Sequence, residues 1–207
     1  MSRSGVLKVL LLAVAFLVCG SAAAQRKTYE LESLPQVPMD TIDTDRPNVK
    51  IITYMPTFRD TSETVFSFNQ LSDDPAFNAL LKKHNAILVE KSHFVTHTRT
   101  GDRAMQTHTR VFHLNELGAS ELMTATDLLI TDYSSCFFDF LVTDRPIVHY
   151  LYDYEFYASQ DRGLYYRAED VVCGDVAENI STLLQAIDEN LSAPNRHAAL
   201  RQSRRET

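Results

Sequence analysis

From residue 51 to residue 190, short β-rich runs alternate with helical segments. Strands that run parallel need a long crossover, and a helix commonly supplies it. The alternation therefore predicts an α/β fold, a parallel sheet with helices on both faces. The strand candidates are Ile51–Met55, Ala86–Val89, Arg110–His113, Leu128–Thr131 and Pro146–Tyr150. Between them, Asp73–His84 reads as a helix with Asp73 and Asp74 at its N-cap. Glu116–Ala125 and Cys136 to about Val142 read as shorter helices. A Tyr-rich segment spans Leu151–Tyr166, and Asp175–Asn190 has the apolar spacing of a closing amphipathic helix. In such sheets ligands bind beyond the carboxyl ends of the strands. The loops after Met55, Val89, Thr131 and Tyr150 are therefore the places to look for a site.

The flanks are different. Arg3 and Lys8 precede the apolar run Val9–Cys19, and Ala22-Ala23-Ala24 follows it. This is the pattern of a secretory leader over residues 1–24. The run is shorter than the roughly 20 residues of a membrane-spanning helix. A cleaved signal, an uncleaved anchor and a junction artefact all fit it. Residues 25–49 hold Pro35, Pro38 and Pro47 without apolar period and read as an irregular linker. Residues 50–191 form the domain. Residues 192–207 carry five Arg or His and read as a frayed basic tail.

Composition removes several classes. The net charge of −7 argues against a broad basic face for nucleic acid. Three Cys make no disulfide framework, and Cys136 and Cys173 read as small buried hydrophobes. His97, His108 and His113 lack the tight spacing of metal ligands, so no metal is expected. No Gly-rich dinucleotide or P-loop pattern is present, and no cofactor is expected.

The strongest local signal is Asp127-Leu-Leu-Ile-Thr-Asp132-Tyr-Ser134-Ser135. A buried strand delivers a polar turn, and two serines open a helix. The first N–H groups of a helix have no internal partners, and with the helix dipole they favour anions. Two hydroxyls beside them suit a diphosphate. The plainer reading is that Ser134 caps the helix and Asp132 caps the turn.

A longer stretch, Thr126-Asp-Leu-Leu-Ile-Thr-Asp-Tyr-Ser-Ser-Cys-Phe-Phe-Asp139-Phe-Leu-Val-Thr-Asp-Arg-Pro146-Ile, resembles the CDP-glycerol glycerophosphotransferase family, which builds teichoic acids and related capsule polymers. Tyr54-Met-Pro56-Thr57-Phe58-Arg59 is similar to the family's Y-x-P-T-[FW]-R segment, and Lys91-Ser92-His93 to its K-x-H-P. Tyr152-Asp153, Tyr157 and Arg162-Gly163-Leu164-Tyr165 resemble its YD…Y…RGxY segment. Phe94 stands where the family has Pro after the His, and Val172-Cys173-Gly174 replaces a Pro-Gly pair. The resemblance implies a GT-B-like arrangement of two Rossmann-like halves, with this chain as the C-terminal, donor-binding half alone. The family's acceptor half holds a W-H-G-T-P-x-K segment whose His is the expected base. This sequence has no Trp.

The resemblance also implies roles. The donor is CDP-glycerol or a related CDP-polyol, the acceptor a membrane-linked polymer, and CMP is released. Ser134 and Ser135 are the expected diphosphate ligands. Arg162 is a phosphate clamp or a solvated loop cation, with Gly163 allowing close backbone approach. His93 protonates the departing phosphate or is a satisfied histidine. Lys91 adds a point charge. Thr57 and Arg59 follow a strand end as ligand contacts, or Arg59 pairs with Asp60 or another carboxylate of the fold. Asp132 orients the turn or binds a ribose or base group. Asp139 is structural, pairing with Arg145 or capping.

Whether the isolated chain is an enzyme stays open. A partner chain supplying the acceptor half is one expectation. A non-catalytic nucleotide-binding relic or scaffold is another, and a GT-B nucleotide-sugar transferase a third. The chain is expected to be membrane-associated, at the cytoplasmic face if the leader is uncleaved and exported if it is cleaved.

Overall fold

A computed structural model describes residues 49–57, 59, 66–91, 110–113, 118–160 and 167–206. The leader, nearly all of the linker, His93, His97, His108, Arg162 and Gly163 lie outside the described residues. The strands are β1 (Lys50–Met55), β2 (Ala86–Glu90), β3 (Val111–His113), β4 (Leu128–Thr131), β5 (Ile147–Tyr150) and β6 (Asp175–Ala177). They form one sheet in the order β3-β2-β1-β4-β5-β6, every neighbouring pair parallel. This is the Rossmann-like order, and the α/β expectation holds.

Helices cover both faces. On one lie α1 (Pro75–Lys83) and α6 (Ile180–Ser192); on the other lie α2 (Ala119–Ala125) and α3 (Cys136–Leu141). Successive strand residues point to opposite faces, so each buried strand feeds two cores. Ile52, Leu88, Leu128 and Ile130 meet Phe77 and Leu81 of α1 and Leu183 and Ile187 of α6. Ile51, Val89, Leu129 and Ile147 meet Leu122, Phe137 and Phe140. Burial on both faces explains why Leu128-Leu129-Ile130 reads as an unbroken apolar run. Each such side chain contributes about 1.5–3 kcal/mol.

Local chemistry sets the ends. Asp74 caps α1 by accepting from Ala76 N–H at 2.8 Å and Phe77 N–H at 2.9 Å, and Pro75 fits the first turn without needing a donor. Asn85, at φ 48°, turns the chain from α1 into β2. Two further helices, α4 (Tyr154–Gln160) and α5 (Ala168–Val171), occupy or follow the Tyr-rich segment.

Two expectations are corrected. Asp175–Asn190 is not one helix. Its first three residues pair with β5 as β6, and α6 starts only after Asn179, whose side chain accepts from Thr182 N–H at 3.0 Å. Gly174 makes this edge strand fit: a Cβ there would stand 1.8 Å from the Ile147 carbonyl oxygen. The C-terminal segment is also not a frayed tail. It forms α7 (Ala198–Arg205), with the Arg201 side chain wholly buried. Arg201 donates to Asp144 Oδ1 at 3.3 Å and to Pro194 O at 3.2 Å; Arg204 donates to Val172 O and Arg205 to Leu141 O. Long arginine stems cover apolar surface while their heads satisfy carbonyls left over at chain turns.

Candidate functional site

The strand order reverses between β1 and β4. From β1 the chain builds outward through β2 and β3; from β4 it builds the other way through β5 and β6. In open α/β sheets ligands bind beyond the carboxyl ends of the strands at such a reversal. The last paired residues there are Met55 and Thr131, and Thr131 Oγ1 donates to the Met55 carbonyl at 2.8 Å. Immediately beyond stand Thr57 and Arg59 on one side and Asp132, Tyr133, Ser134 and Ser135 on the other.

Asp132 ties the two loops together. Its Oδ1 accepts from Thr57 N–H at 2.8 Å, from Thr57 Oγ1 at 2.7 Å and from its own turn, Ser134 N–H, at 3.2 Å. Its Oδ2 accepts from Arg59 Nη2 at 2.8 Å. Arg59 also donates through Nε to Asp153 Oδ2 at 2.8 Å, through Nη2 to Asp153 Oδ1 at 3.1 Å and through Nη1 to Thr57 O at 2.8 Å. The Arg59 and Asp132 side chains have no solvent exposure. Burial alone would lower the Arg59 pKa; the hydrogen bond to Asp153 and the field of Asp132 outweigh it and raise it. The guanidinium lies 4.6 Å from the Tyr157 ring centre, 5.1 Å from that of Tyr133 and 5.8 Å from that of Tyr152. Tyr133 and Tyr157 stack at 4.2 Å, and Tyr133 Oη donates to Asp153 Oδ1 at 3.1 Å. Burial, then the Asp153 charge, holds the Tyr133 phenol far above its ordinary value.

Of the two readings open for Arg59, the geometry shows the carboxylate pair, with Asp132 and Asp153 as partners. Thr57 likewise directs its N–H and hydroxyl into Asp132 rather than outward. Asp132 orients the turn. These three tie the loop after β1 to the loop after β4 and form the floor of the candidate site. Asp153 and Tyr133 were not singled out as site residues from the sequence. The signal was there, since both fall inside family-like segments, but nothing local says which carboxylate an arginine 94 residues away will choose.

Ser134 and Ser135 stand above that floor. Ser134 Oγ accepts from Cys136 N–H at 3.4 Å, a long capping bond; Ser135 is exposed, and its side chain makes no capping bond to α3. Lys91 follows β2, half-buried, its backbone N–H donating to Tyr54 O at 2.9 Å. Asp139 does not pair with Arg145. It is exposed, and Arg145 donates instead to the carbonyls of Met123, Thr124 and Thr126 at the end of α2. His113 hydrogen-bonds Asn69 Nδ2 at 2.9 Å. Among the described residues no three His, Cys, Asp or Glu stand together as metal ligands, and no helix is long and apolar enough to cross a membrane.

Beside the Arg59 cluster a cavity of about 690 Å³ opens past the ends of β5 and β6. Tyr152, Asp153, Tyr154, Glu155, Ser159 and Glu178 line it, so Asp153 is shared between cluster and cavity. Glu90, at the end of β2, is buried and accepts from Ser67 Oγ at 2.9 Å and Phe68 N–H at 3.0 Å; burial pushes it up to about 7.

Comparison with known proteins places this arrangement. The teichoic acid poly(glycerol phosphate) polymerase of Bacillus spizizenii is 33% identical over 156 residues, 70% of this chain and 39% of that protein. The teichoic acid glycerol-phosphate transferase of Staphylococcus aureus is 33% identical over 141 residues, 67% of this chain and 35% of that protein. A structure of the wall teichoic acid polymerase TagF matches with a TM-score of 0.55 at 25% identity, over 81% of this chain and 40% of that one. The chain thus spans well under half the length of the relatives it matches. The family model described as CDP-Glycerol:Poly(glycerophosphate) glycerophosphotransferase matches residues 40–207. The chain belongs to that family of glycerophosphotransferases.

Proposed function

We propose that this chain is the donor-binding part of a polyol-phosphate transferase, and that it holds a CDP-linked polyol such as CDP-glycerol. One observation carries the reading: the Ser134–Ser135 turn sits at the carboxyl end of β4, at the reversal of strand order, on a floor locked by Asp132. That is where an α/β sheet presents backbone N–H groups and hydroxyls to a phosphate.

In this reading an acceptor hydroxyl attacks the phosphorus on the polyol side of the diphosphate. The bond from that phosphorus to the bridging oxygen breaks, CMP leaves, and the hydroxyl proton passes to a base on the acceptor half. Negative charge grows on the leaving phosphate, so the donor side needs aimed hydrogen-bond donors more than covalent chemistry. Ser134 and Ser135 supply them, Arg162 with Gly163 clamps a phosphate, Lys91 adds positive charge, and His93 hands a proton to the departing phosphate. The acidic cavity at Asp153, Glu155 and Glu178 repels phosphate and accepts from hydroxyls, so it suits the ribose or polyol. The acceptor would be a membrane-linked polymer. A separate chain would supply the acceptor half, and the segment before residue 25 would keep the domain at the membrane periphery.

A second reading is a nucleotide-binding module without catalysis of its own. Calorimetric titration of the full chain with CDP-glycerol, CDP and UDP tests both. Micromolar affinity for the cytidine ligands, lost in a Ser134→Ala/Ser135→Ala variant, is the expected result. Equal affinity for UDP would point to a nucleotide-sugar transferase, and no binding by a folded sample would end the donor reading. Release of CMP by the isolated chain would end the non-catalytic one.

A further inference from the structure

Glu90 closes β2 and is 4% exposed. Burying a carboxyl group is costly unless it is hydrogen-bonded. Its Oε2 takes both of its bonds from one segment: Ser67 Oγ donates at 2.9 Å and Phe68 N–H at 3.0 Å. This segment opens the 3₁₀ turn Phe68–Leu71. Asn69 of the same turn is hydrogen-bonded to His113, which lies opposite Glu90 in the register of β2 and β3. Two neighbouring strand ends thus hold the turn at the carboxyl edge of the sheet. One residue before Ser67, Phe66 N–H donates to Tyr152 Oη at 3.2 Å. The Phe66 ring meets those of Tyr54, Phe68 and Tyr150 edge-on, centre to centre 5.9, 5.1 and 4.9 Å, and lies 6.0 Å from that of Tyr152. Tyr152 in turn lines the cavity past β5, and its ring centre stands 5.8 Å from the Arg59 guanidinium.

We infer that Glu90 is a positioning residue for Tyr152, an aromatic wall of the cavity, and acts through the Phe66–Phe68 segment; its effect on ligand affinity rests on the donor-binding reading above. Every link is a direct contact. The Glu90 carboxyl fixes Ser67 and Phe68, the adjoining Phe66 peptide fixes the Tyr152 hydroxyl, and Tyr152 borders the cavity. Tyr152 is half-buried and lies in the turn between β5 and α4, so no ladder of strand bonds holds it. An apolar residue at 90 leaves the buried Phe68 N–H without its acceptor, and the cost of an unpaired buried donor favours a shifted turn. A shifted turn withdraws the Phe66 N–H and ring from Tyr152. Glutamine at 90 still offers a carbonyl oxygen to both donors.

The test uses the full chain, with Glu90→Leu, Glu90→Gln, Tyr152→Phe and the Glu90→Leu/Tyr152→Phe double variant. Amide proton–nitrogen spectra read Phe66 and Tyr152, and calorimetry reads the affinity for CDP-glycerol. The expected results are displaced Phe66 and Tyr152 amides in Glu90→Leu and an affinity about tenfold weaker, the equivalent of one lost buried hydrogen bond. Glu90→Gln should restore both readouts, and Tyr152→Phe should displace the Phe66 amide. Glu90→Leu and Tyr152→Phe break one chain of contacts, so the double variant should bind no more weakly than the weaker single one. A Tyr152 amide unmoved by Glu90→Leu, or affinity losses that add in the double variant, would overturn the inference. If the wild type does not bind CDP-glycerol, the donor reading falls, while the amide shifts still decide the part played by Glu90. If Glu90→Leu does not fold, Ser67→Ala removes one of the two bonds instead: a displaced Tyr152 amide supports the inference and an unmoved one overturns it.

Discussion

Arg59 Nη2 donates to Asp132 Oδ2 at 2.8 Å, across the point where the strand order of the sheet reverses. The pair joins the loop after β1 to the loop after β4, and Asp153 extends it to the segment after β5. Three loops that could drift apart are thereby fixed to one guanidinium. Two carboxylates against one cation leave the cluster net negative beneath a proposed phosphate site. The cluster therefore suits a structural floor better than a phosphate clamp.

Breaking this pair should be costly. Arg59→Met leaves two carboxylates facing a buried apolar gap, and the expected loss is about 3–5 kcal/mol in urea unfolding. Arg59→Lys should recover little, because an ammonium cannot reach Asp132 and Asp153 with the same fork. A loss below about 1 kcal/mol for Arg59→Met would show that the cluster does not hold the loops.

Two buried groups give opposing pH dependences. Burial raises Glu90 from 4.5 to about 7, against hydrogen bonds from Phe68 and Ser67. Its contribution is full below pH 4.5 and is lost as pH rises through 7. Burial lowers His149 from 6.5 to about 4, against its bond to the Asp132 backbone. Its contribution is full above pH 6.5 and is lost as pH falls through 4. Each amounts to about 3 kcal/mol, and they largely cancel between pH 4.5 and 6.5. Glu90→Gln should expose the His149 slope, with stability rising from pH 4.5 to 6.5. His149→Phe should expose the Glu90 slope, with stability falling from pH 4.5 to 7. Unfolding midpoints that track the wild type at every pH in both variants would contradict this.

Gly174 is needed for space. A Cβ would overlap the Ile147 carbonyl oxygen at 1.8 Å, and backbone cannot give way as a side chain can. Gly174→Ala should cost about 3 kcal/mol or more by thermal or urea unfolding. Wild-type stability in this variant would mean that β6 can shift on the edge of the sheet.

Helix α7 is expected to support α3 from its far end. Arg205 reaches the Leu141 carbonyl, and Arg201 and Arg205 both meet Asp144. Truncation after Ala193 should lower stability by at least about 2 kcal/mol, since charged hydrogen bonds to Asp144 and the Leu141 carbonyl are lost together. An unchanged unfolding midpoint would return this segment to the status of a loose tail.

The strands and main helices could be read from the sequence because their signals are local. The apolar run Leu128–Ile130, the Asp74-Pro75 start of α1 and the polar turn after Thr131 each carry their own explanation. What could not be read depends on distant partners. The 3₁₀ turn Phe68–Leu71 forms where Glu90, 22 residues on, accepts the Phe68 N–H. β6 is three residues long and exists because β5 offers an edge. α7 carries a single large apolar side chain, Leu200, and its order comes from the Asp144 carboxylate and the Val172 carbonyl elsewhere in the fold. The candidate site divides the same way. The Ser134–Ser135 turn announces itself, whereas the choice of Asp132 and Asp153 by Arg59 belongs to the tertiary fold.

The decisive measurement is an amide proton–nitrogen NMR titration of the full chain with CDP. The account predicts saturable shifts centred on Ser134, Ser135 and Cys136, with smaller ones at Thr57 and none at α7. Saturable shifts that avoid the Ser134–Cys136 turn, or no shifts at millimolar CDP from a folded chain, would contradict it.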